Sequence, residues 1–449
     1  MKRSVSNDNR YMHTLRLLKR LWQTLPLSEH NRWRLTTIVL APVLPFIRGS
    51  VVHTAYVREK EWMTKRIRPA HGDPLPVLPT PIKADIIILG VIDWRFRIQR
   101  PQHLARGFAA MGHRVFYIST AFVNARRPGF EIERMDESSQ LFSVRLHLKN
   151  RPGIHAPPSQ ENIHALKASL TLLMTWIGHH EITNIVQHPY WYEIARTLGK
   201  IQLIYDCMDH HEGFGHPDVG ITALELALLK KSDAIVTTSQ WLRDRAAAHN
   251  TNVVLIRNAA DYGFFSLRPQ EVYHDPQGRR VLGYYGAIAD WLDVELLEKV
   301  ALQFTSCLLL LVGADECGAR QRLASLPNVN FTGEVKYAEL PYYLYGMDVC
   351  LLPFRVTPLT LATNPVKVYE YLAAGKPVVS VELPELTQFG DLVATASTHD
   401  DFAGCIAVML ASTDNEQQKA RKKFAERNTW QDRVGEFNLL LKRLAETRK

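Results

Sequence analysis

Residues 363–379 read TNPVKVYEYLAAGKPVV: an apolar helix over 365–375, closed by Gly375-Lys376-Pro377 and followed at once by a Val-Val strand. Just upstream, VCLLPF (349–354) is continuously apolar, as in a strand buried on both faces. Strand, loop, helix, strand is the repeating unit of a parallel sheet. The helix also carries Lys367 and Glu370 on its first two turns and needs neither charge to form. Those charges ask for a partner outside the helix.

The same rhythm extends in both directions. Toward the N-terminus, VLGYYG (281–286), CLLLLVG (307–313) and VNFTG (329–333) are strands, with VELLEKVALQF (294–304) and AELPYYLYGM (338–347) as helices. A break at 261–280 reads as a linker. Before it the alternation starts afresh with ADIIILG (84–90), RVFYIST (114–120), NIVQH (184–188), QLIYDC (202–207), AIVTTS (234–239) and VVLIRN (253–258) as strands. Helices fall at 100–112, 222–232 and 240–249. The helix at 100–112 has Pro101 at its first turn and Gly112 at its end. Two α/β units, each a doubly wound Rossmann-like sheet, are expected to face one another across a cleft. The expected division is 1–83 (basic helical extension and Pro-rich linker), 84–262, 281–429, and a C-terminal helix at 430–449. At roughly 100–200 residues per domain, 449 residues fit two or three such bodies.

Residues 1–80 hold 14 Lys and Arg against 5 Asp and Glu, which accounts for the whole formal charge of +9. A basic head on a neutral body argues against nucleic acid as a partner. It suits an anionic membrane surface met through residues 1–70, or a solvated extension with no target. LLKRLWQTL (17–25) has helical spacing. LTTIVLAPVLPFI (35–47) is too short to span a bilayer and is broken by Pro42 and Pro45, so an interfacial position is the expectation. The N-terminus lacks the order of a signal peptide, and the five scattered cysteines read as free thiols in a reducing compartment. The expected location is cytoplasmic, peripheral on the inner face of the cell membrane.

Ligands of open α/β sheets bind beyond the carboxyl ends of strands. The start of the 365–375 helix, at Asn364 and Pro365, offers free N–H groups to an anion, and Lys367 adds a full charge there. Glu370, one turn on, can accept hydrogen bonds from a ribose diol. The plainer alternative is a surface ion pair between Lys367 and Glu370. Arg355 lies in the preceding loop. Gly286 follows a strand where a missing side chain lets a phosphate approach, and Gly333, Glu334 and Val335 end another strand beside a base pocket. These form the candidate donor set. In the first unit, Asp93, Arg97, Arg100, Gln102 and His103 form the candidate acceptor surface; a helix cap with solvated arginines is the alternative. His188 and Asp209, each in a loop after a strand, are the catalytic candidates. The run Asp209-His210-His211-Glu212 is sequential, without metal-ligand spacing, and no metal or cofactor is expected. No GxGxxG and no GxxxxGK[ST] occurs.

TGEVKYAELPYYLYGMDVCLLPF (332–354) and NPVKVYEYLAAGKPVVS (364–380), with DWRFRIQRPQHLARGFAAMGHRVFYIS (93–119) and IRNAADYGFF (256–265), resemble the GT-B glycosyltransferases of the family 4 (group 1) type, including bacterial polysaccharide enzymes. The resemblance covers about residues 84–445. It implies transfer of a sugar from a nucleotide-diphosphate sugar to a glycan or lipid-linked acceptor in surface polysaccharide synthesis, with retention of configuration. It implies that Glu370 binds the donor ribose as the second glutamate of an E-x7-E motif, that Gly286 lies near the diphosphate and His188 near the reacting sugar, that Asn258 and Asp261 close the first domain at the cleft, and that the terminal helix from Trp430 (430–449) crosses back onto the first domain. The sequence departs from the pattern at Ala362, where the first glutamate of that motif would stand, and lacks the Arg/Lys pair after the glycine loop; Arg355 and Lys367 are the candidates to replace that charge. A nucleotide-sugar epimerase or hydrolase and a non-catalytic scaffold of a polysaccharide assembly are the alternatives.

Overall fold

The computed structural model describes residues 78–446 apart from 136–139, 179–180, 197, 199–200, 215–217 and 413. The basic segment at 1–77, with its expected helix and interfacial stretch, lies outside the described residues.

The first lobe is built on an eight-stranded sheet in the order β3-β4-β2-β1-β5-β6-β7-β8. Its strands are β1 (Asp85–Leu89), β2 (Val115–Ile118), β3 (Phe130–Arg134), β4 (Leu141–Leu146), β5 (Ile182–Val186), β6 (Gln202–Cys207), β7 (Ala234–Thr237) and β8 (Val253–Leu255). Every pairing is parallel except β3 with β4. That antiparallel edge is absent from the sequence reading. FEIER carries charge at alternate positions, which marks a half-exposed edge rather than a buried core strand. The second lobe has six parallel strands in the order β11-β10-β9-β12-β13-β14: β9 (Arg280–Tyr285), β10 (Cys307–Val312), β11 (Val329–Gly333), β12 (Val349–Leu352), β13 (Val378–Val381) and β14 (Ala394–Ala396).

The α-helices of eight or more residues among those described are α1 (Arg100–Ala110), α2 (Gln160–Ile177), α3 (Val219–Lys231), α4 (Gln240–Ala247), α5 (Val294–Gln303), α6 (Val366–Ala373), α7 (His399–Ala411), α8 (Asn415–Glu426) and α9 (Trp430–Glu446). Helix α6 buries Val368 through Ala373 without a break, so it is a core helix rather than an amphipathic surface one. Ser159, Asp218, Ser239, Asp293, Thr398 and Asp414 cap α2, α3, α4, α5, α7 and α8 through their side chains. Cys207, Cys307 and Cys350 are buried free thiols, and Cys317 and Cys405 are free and half-buried.

Strand order reverses between β1 and β5 in the first sheet and between β9 and β12 in the second. Crevices at such switch points are where open α/β sheets take ligands, so the loops after these four strands are the places to look. Helix α9 follows the second sheet in the chain yet buries Val434, Phe437, Leu440 and Leu441 in the first lobe, against Leu104 and Phe108 of α1. A second tie joins the lobes at their base. The backbone N–H of Asn258 donates to the Asn364 side-chain oxygen at 2.9 Å, and the Asn258 side-chain amide donates to the Asn364 carbonyl at 2.7 Å. Buried Glu385 accepts from the Gln240 N–H, from Arg257 and from the Asn364 side chain. Among the described residues no helix is long and apolar enough to cross a membrane.

Candidate functional site

The second lobe's side of the cleft is organised by Gly286. Strand β9 ends at Tyr285, and Gly286 takes φ 134, a left-handed conformation that favours glycine. A Cβ there would lie 2.1 Å from Cε and 2.8 Å from Nζ of Lys367, so the lysine rests directly on this turn. Gly313, after β10, is pressed against the same turn: its Cβ would fall 1.8 Å from the Gly286 carbonyl oxygen. The Lys367 Nζ sits 5.7 Å from the Tyr284 ring and 6.0 Å from the Phe354 ring. Desolvation lowers the Lys367 pKa; the Glu370 charge opposes that shift and the Arg97 charge adds to it.

Glu370 is buried, and the Tyr285 hydroxyl donates to its Oε2 at 2.7 Å. Burial raises its pKa to about 7, against the opposing pull of Tyr285 and Lys367. Lys367 and Glu370 are therefore not the surface ion pair that their spacing allows. Oε1 of Glu370 accepts from no described residue and can receive a ligand hydroxyl. Tyr285 was invisible as a site residue in the sequence. Its only signal was a second tyrosine immediately before the glycine turn.

The other donor candidates divide. Asn364 is spent: Asn258, Tyr369 and Glu385 take its side chain, so it is a lobe tie rather than a ligand contact. Pro365 is buried as the residue before α6. Gly333 takes φ 78 at the end of β11, and Val335 packs on the second core. Glu334 is gripped by Arg97 of the other lobe, Nε to Oε1 and Nη2 to Oε2 both at 2.9 Å, and it accepts from the Ala314 N–H at 3.2 Å. Arg355 is exposed and lines a shallow pocket with Asp290, Cys317 and Arg322.

The first lobe's acceptor set is largely absorbed by the fold. Arg100 does not reach the cleft surface. It is buried and forks onto Asp206, with Nη2 at 2.8 Å and Nε at 3.1 Å from Oδ1, while Nη1 donates to the Ile256 carbonyl at 3.0 Å. A charge held this way costs too much to unbury for a passing ligand. Gln102 is fully buried, its Oε1 accepting from the Gln99 N–H in a capping box. His103 stacks on Trp430 of α9, ring centroids 4.9 Å apart, and burial lowers its pKa to about 3. These three hold α1 and α9 in place. Asp93 closes its own turn, accepting from the Arg95 N–H at 2.9 Å and the Ser119 hydroxyl at 2.7 Å. Two of the five meet the second lobe: His103 faces Tyr337, its Nε2 3.5 Å from the Tyr337 hydroxyl, and Arg97 reaches Glu334.

His188, after β5, is buried and keeps a usable edge. Its Nδ1 accepts from the Tyr190 N–H at 3.2 Å, which puts the ring proton on Nε2, and that atom meets no described partner. Desolvation, helped by His211, lowers its pKa to about 2, so it is a neutral hydrogen-bond donor and carries no charge near neutrality. The His211 ring meets it edge-on at 4.9 Å. Burial raises the pKa of Asp209, an effect that His211 partly offsets. Gly213 touches Leu359 of the second lobe, so this cluster lies at the lobe boundary. Among the described residues no group of three His, Cys, Asp or Glu could hold a metal ion. Ala362, where the resemblance expects a glutamate, is sealed into the first lobe's apolar cluster, where an unpartnered carboxylate would be desolvated.

Residues 279–412 match the family model described as Glycosyl transferases group 1. A Bacillus subtilis (strain 168) protein, provisionally named teichuronic acid biosynthesis glycosyltransferase TuaH, is 30% identical over 256 residues; the match spans 51% of this chain and 64% of that protein, just under two thirds of its length. The fold is similar to a sucrose-phosphate synthase from Thermosynechococcus elongatus, with TM-score 0.65 and 15% identity over 81% of this chain and 100% of that one. It is also similar to Anabaena HepE in complex with UDP and glucose, with TM-score 0.57 and 14% identity over 80% of this chain and all of that one. At these identities the two likenesses establish a shared architecture.

Proposed function

We propose that this chain, of GT-B architecture and matching the Glycosyl transferases group 1 model over residues 279–412, transfers a sugar from a nucleotide-diphosphate sugar to a glycan or lipid-linked acceptor in surface polysaccharide synthesis. The observation that carries this reading is Lys367 seated on the Gly286 turn with Glu370 one helical turn away. In this reading the diphosphate lies against Gly286 and the start of α6, and Lys367 neutralises charge that grows on the leaving group. Glu370 Oε1 accepts from the ribose. The Nε2–H of His188 donates to a sugar hydroxyl or to the acceptor, and Asp209 acts beside it through His211, whose ring meets His188 edge-on. Retention by front-face attack fits this set, which needs no protein nucleophile. Residues 1–70 would bring the enzyme to an anionic membrane, where a lipid-linked acceptor resides.

The test is a panel of UDP-, GDP- and dTDP-sugars incubated with the full chain and acceptor glycolipids, with the products read by mass spectrometry. A new glycosidic product is the expected result. The half-buried Asp209, with buried His211 and His188, favours one second reading, acid–base turnover of the nucleotide sugar itself. Donor consumption without acceptor, at an equal rate, would select it.

A further inference from the structure

We propose that Arg97, carried by the first lobe, is a diphosphate-binding arm of the donor site, held on Glu334 until the ligand takes it. This rests on the donor site described above and adds to it a residue from the opposite lobe.

Arg97 belongs to the loop after β1, yet its side chain is anchored on the second lobe. Two of its nitrogens fork onto Glu334 at 2.9 Å, and Nη2 lies 3.5 Å from Glu316. Nη1 donates to no described residue, and the guanidinium lies 4.6 Å from the Phe96 ring centroid. Contacts run from here into the site without a gap. Glu334 accepts from Ala314; Gly313, its neighbour, presses on Gly286; Gly286 carries Lys367. Arg97 and Lys367 thus approach the same glycine turn from opposite lobes.

Two cations brought toward one turn repel each other. The Arg97 charge already contributes to lowering the Lys367 pKa. An anion placed between them removes that repulsion and satisfies both. A guanidinium fork fits phosphate oxygens as well as it fits a carboxylate, and a diphosphate carries more charge than Glu334 offers. The Arg97–Glu334 pair is partly exposed, so water can solvate Glu334 once a ligand takes the guanidinium. The arrangement also accounts for the chain's lack of a basic pair after the Gly286 turn: the second cation comes from the other lobe, so the diphosphate would hold the cleft closed.

The test is calorimetric binding of inorganic pyrophosphate, UDP, GDP and dTDP, with uridine, guanosine and thymidine as controls. The proteins are the full-length wild type, Arg97→Ala, Glu334→Gln and Lys367→Ala. Arg97→Ala should weaken pyrophosphate and the preferred nucleoside diphosphate by roughly tenfold, the scale of one charge-assisted contact, and leave the nucleoside unchanged. Glu334→Gln keeps the arm and removes its holder, so it should bind pyrophosphate as tightly as wild type or more tightly. Wild-type diphosphate affinity in Arg97→Ala, with weakened acceptor use alone, would overturn the proposal and make Arg97 an acceptor residue. If Lys367→Ala also binds like wild type, or wild type binds none of the diphosphates, the donor-site reading fails with it. Loss in Lys367→Ala without loss in Arg97→Ala sinks the arm only.

Discussion

The loop after β1 and the loops around α6 face one cleft and look equally polar in sequence, yet their side chains do different work. On the first lobe, Arg100, Gln102 and His103 have their polar groups or rings taken up by Asp206, by a helix cap and by Trp430. On the second, Lys367 and Glu370 keep a cation and an oxygen that the protein does not consume. Buried polar groups must be satisfied. A polar residue whose partners all lie inside the protein is structural, and one left with capacity at a crevice is a candidate for ligand.

That contrast can be broken by mutation, and the largest effect should come from the structural side. Arg100→Ala leaves Asp206 buried without its cation and should lower unfolding free energy by about 3–5 kcal/mol. Urea denaturation measures it, and a loss below about 1 kcal/mol would place Arg100 among the ligand residues after all. Next, Lys367→Ala should fold normally and lose about two to three orders of magnitude in turnover, the scale for removing one preorganised charge from a leaving group. A normal melting temperature with absent product is the expected pair of readings.

Glu370 supplies a smaller, pH-dependent effect. Its folded pKa stands near 7, above the ordinary carboxylate value, because burial disfavours the charge. The sign follows: its contribution to stability is full below the unfolded pKa of about 4.5 and is lost as pH rises through about 7. In the proposed site the Glu370 carboxylate accepts from the ribose, so that proposal expects donor affinity to rise over the same interval. Tyr285→Phe removes the hydrogen bond that favours the charged form and should move this limb to higher pH. A titration of nucleoside-diphosphate affinity against pH checks both, and an unshifted limb in Tyr285→Phe would separate Glu370 from the ribose. The smallest effect belongs to Glu334→Gln, which breaks a partly exposed pair between lobes and should change stability by about 1 kcal/mol or less.

The lessons for reading such sequences are specific. Strands β1, β2 and β5 to β13 are legible in the sequence as short, mainly apolar runs, the pattern of parallel strands covered on both faces. The β3–β4 edge was not, since one face of it meets water. Gly286, Lys367 and Glu370 were legible because a charge in an apolar helix and a glycine at a strand end are local anomalies. Tyr285 and Glu385 carry no such signal, because a tyrosine at a strand end or a lone glutamate looks the same in sequence whether spent or free.

The sequence alone therefore determined the alternation of strands and helices, the break between two lobes and the basic head, because periodicity and charge are properties of neighbours along the chain. Only the tertiary structure decided that Arg100 is an internal strut while Arg97 spans the lobes, that Asn364 is a tie, and that Ala362 is sealed in the opposite core. Those outcomes depend on partners more than a hundred positions away, and hydrogen-bond capacity is settled by whatever lies within about 3 Å in space.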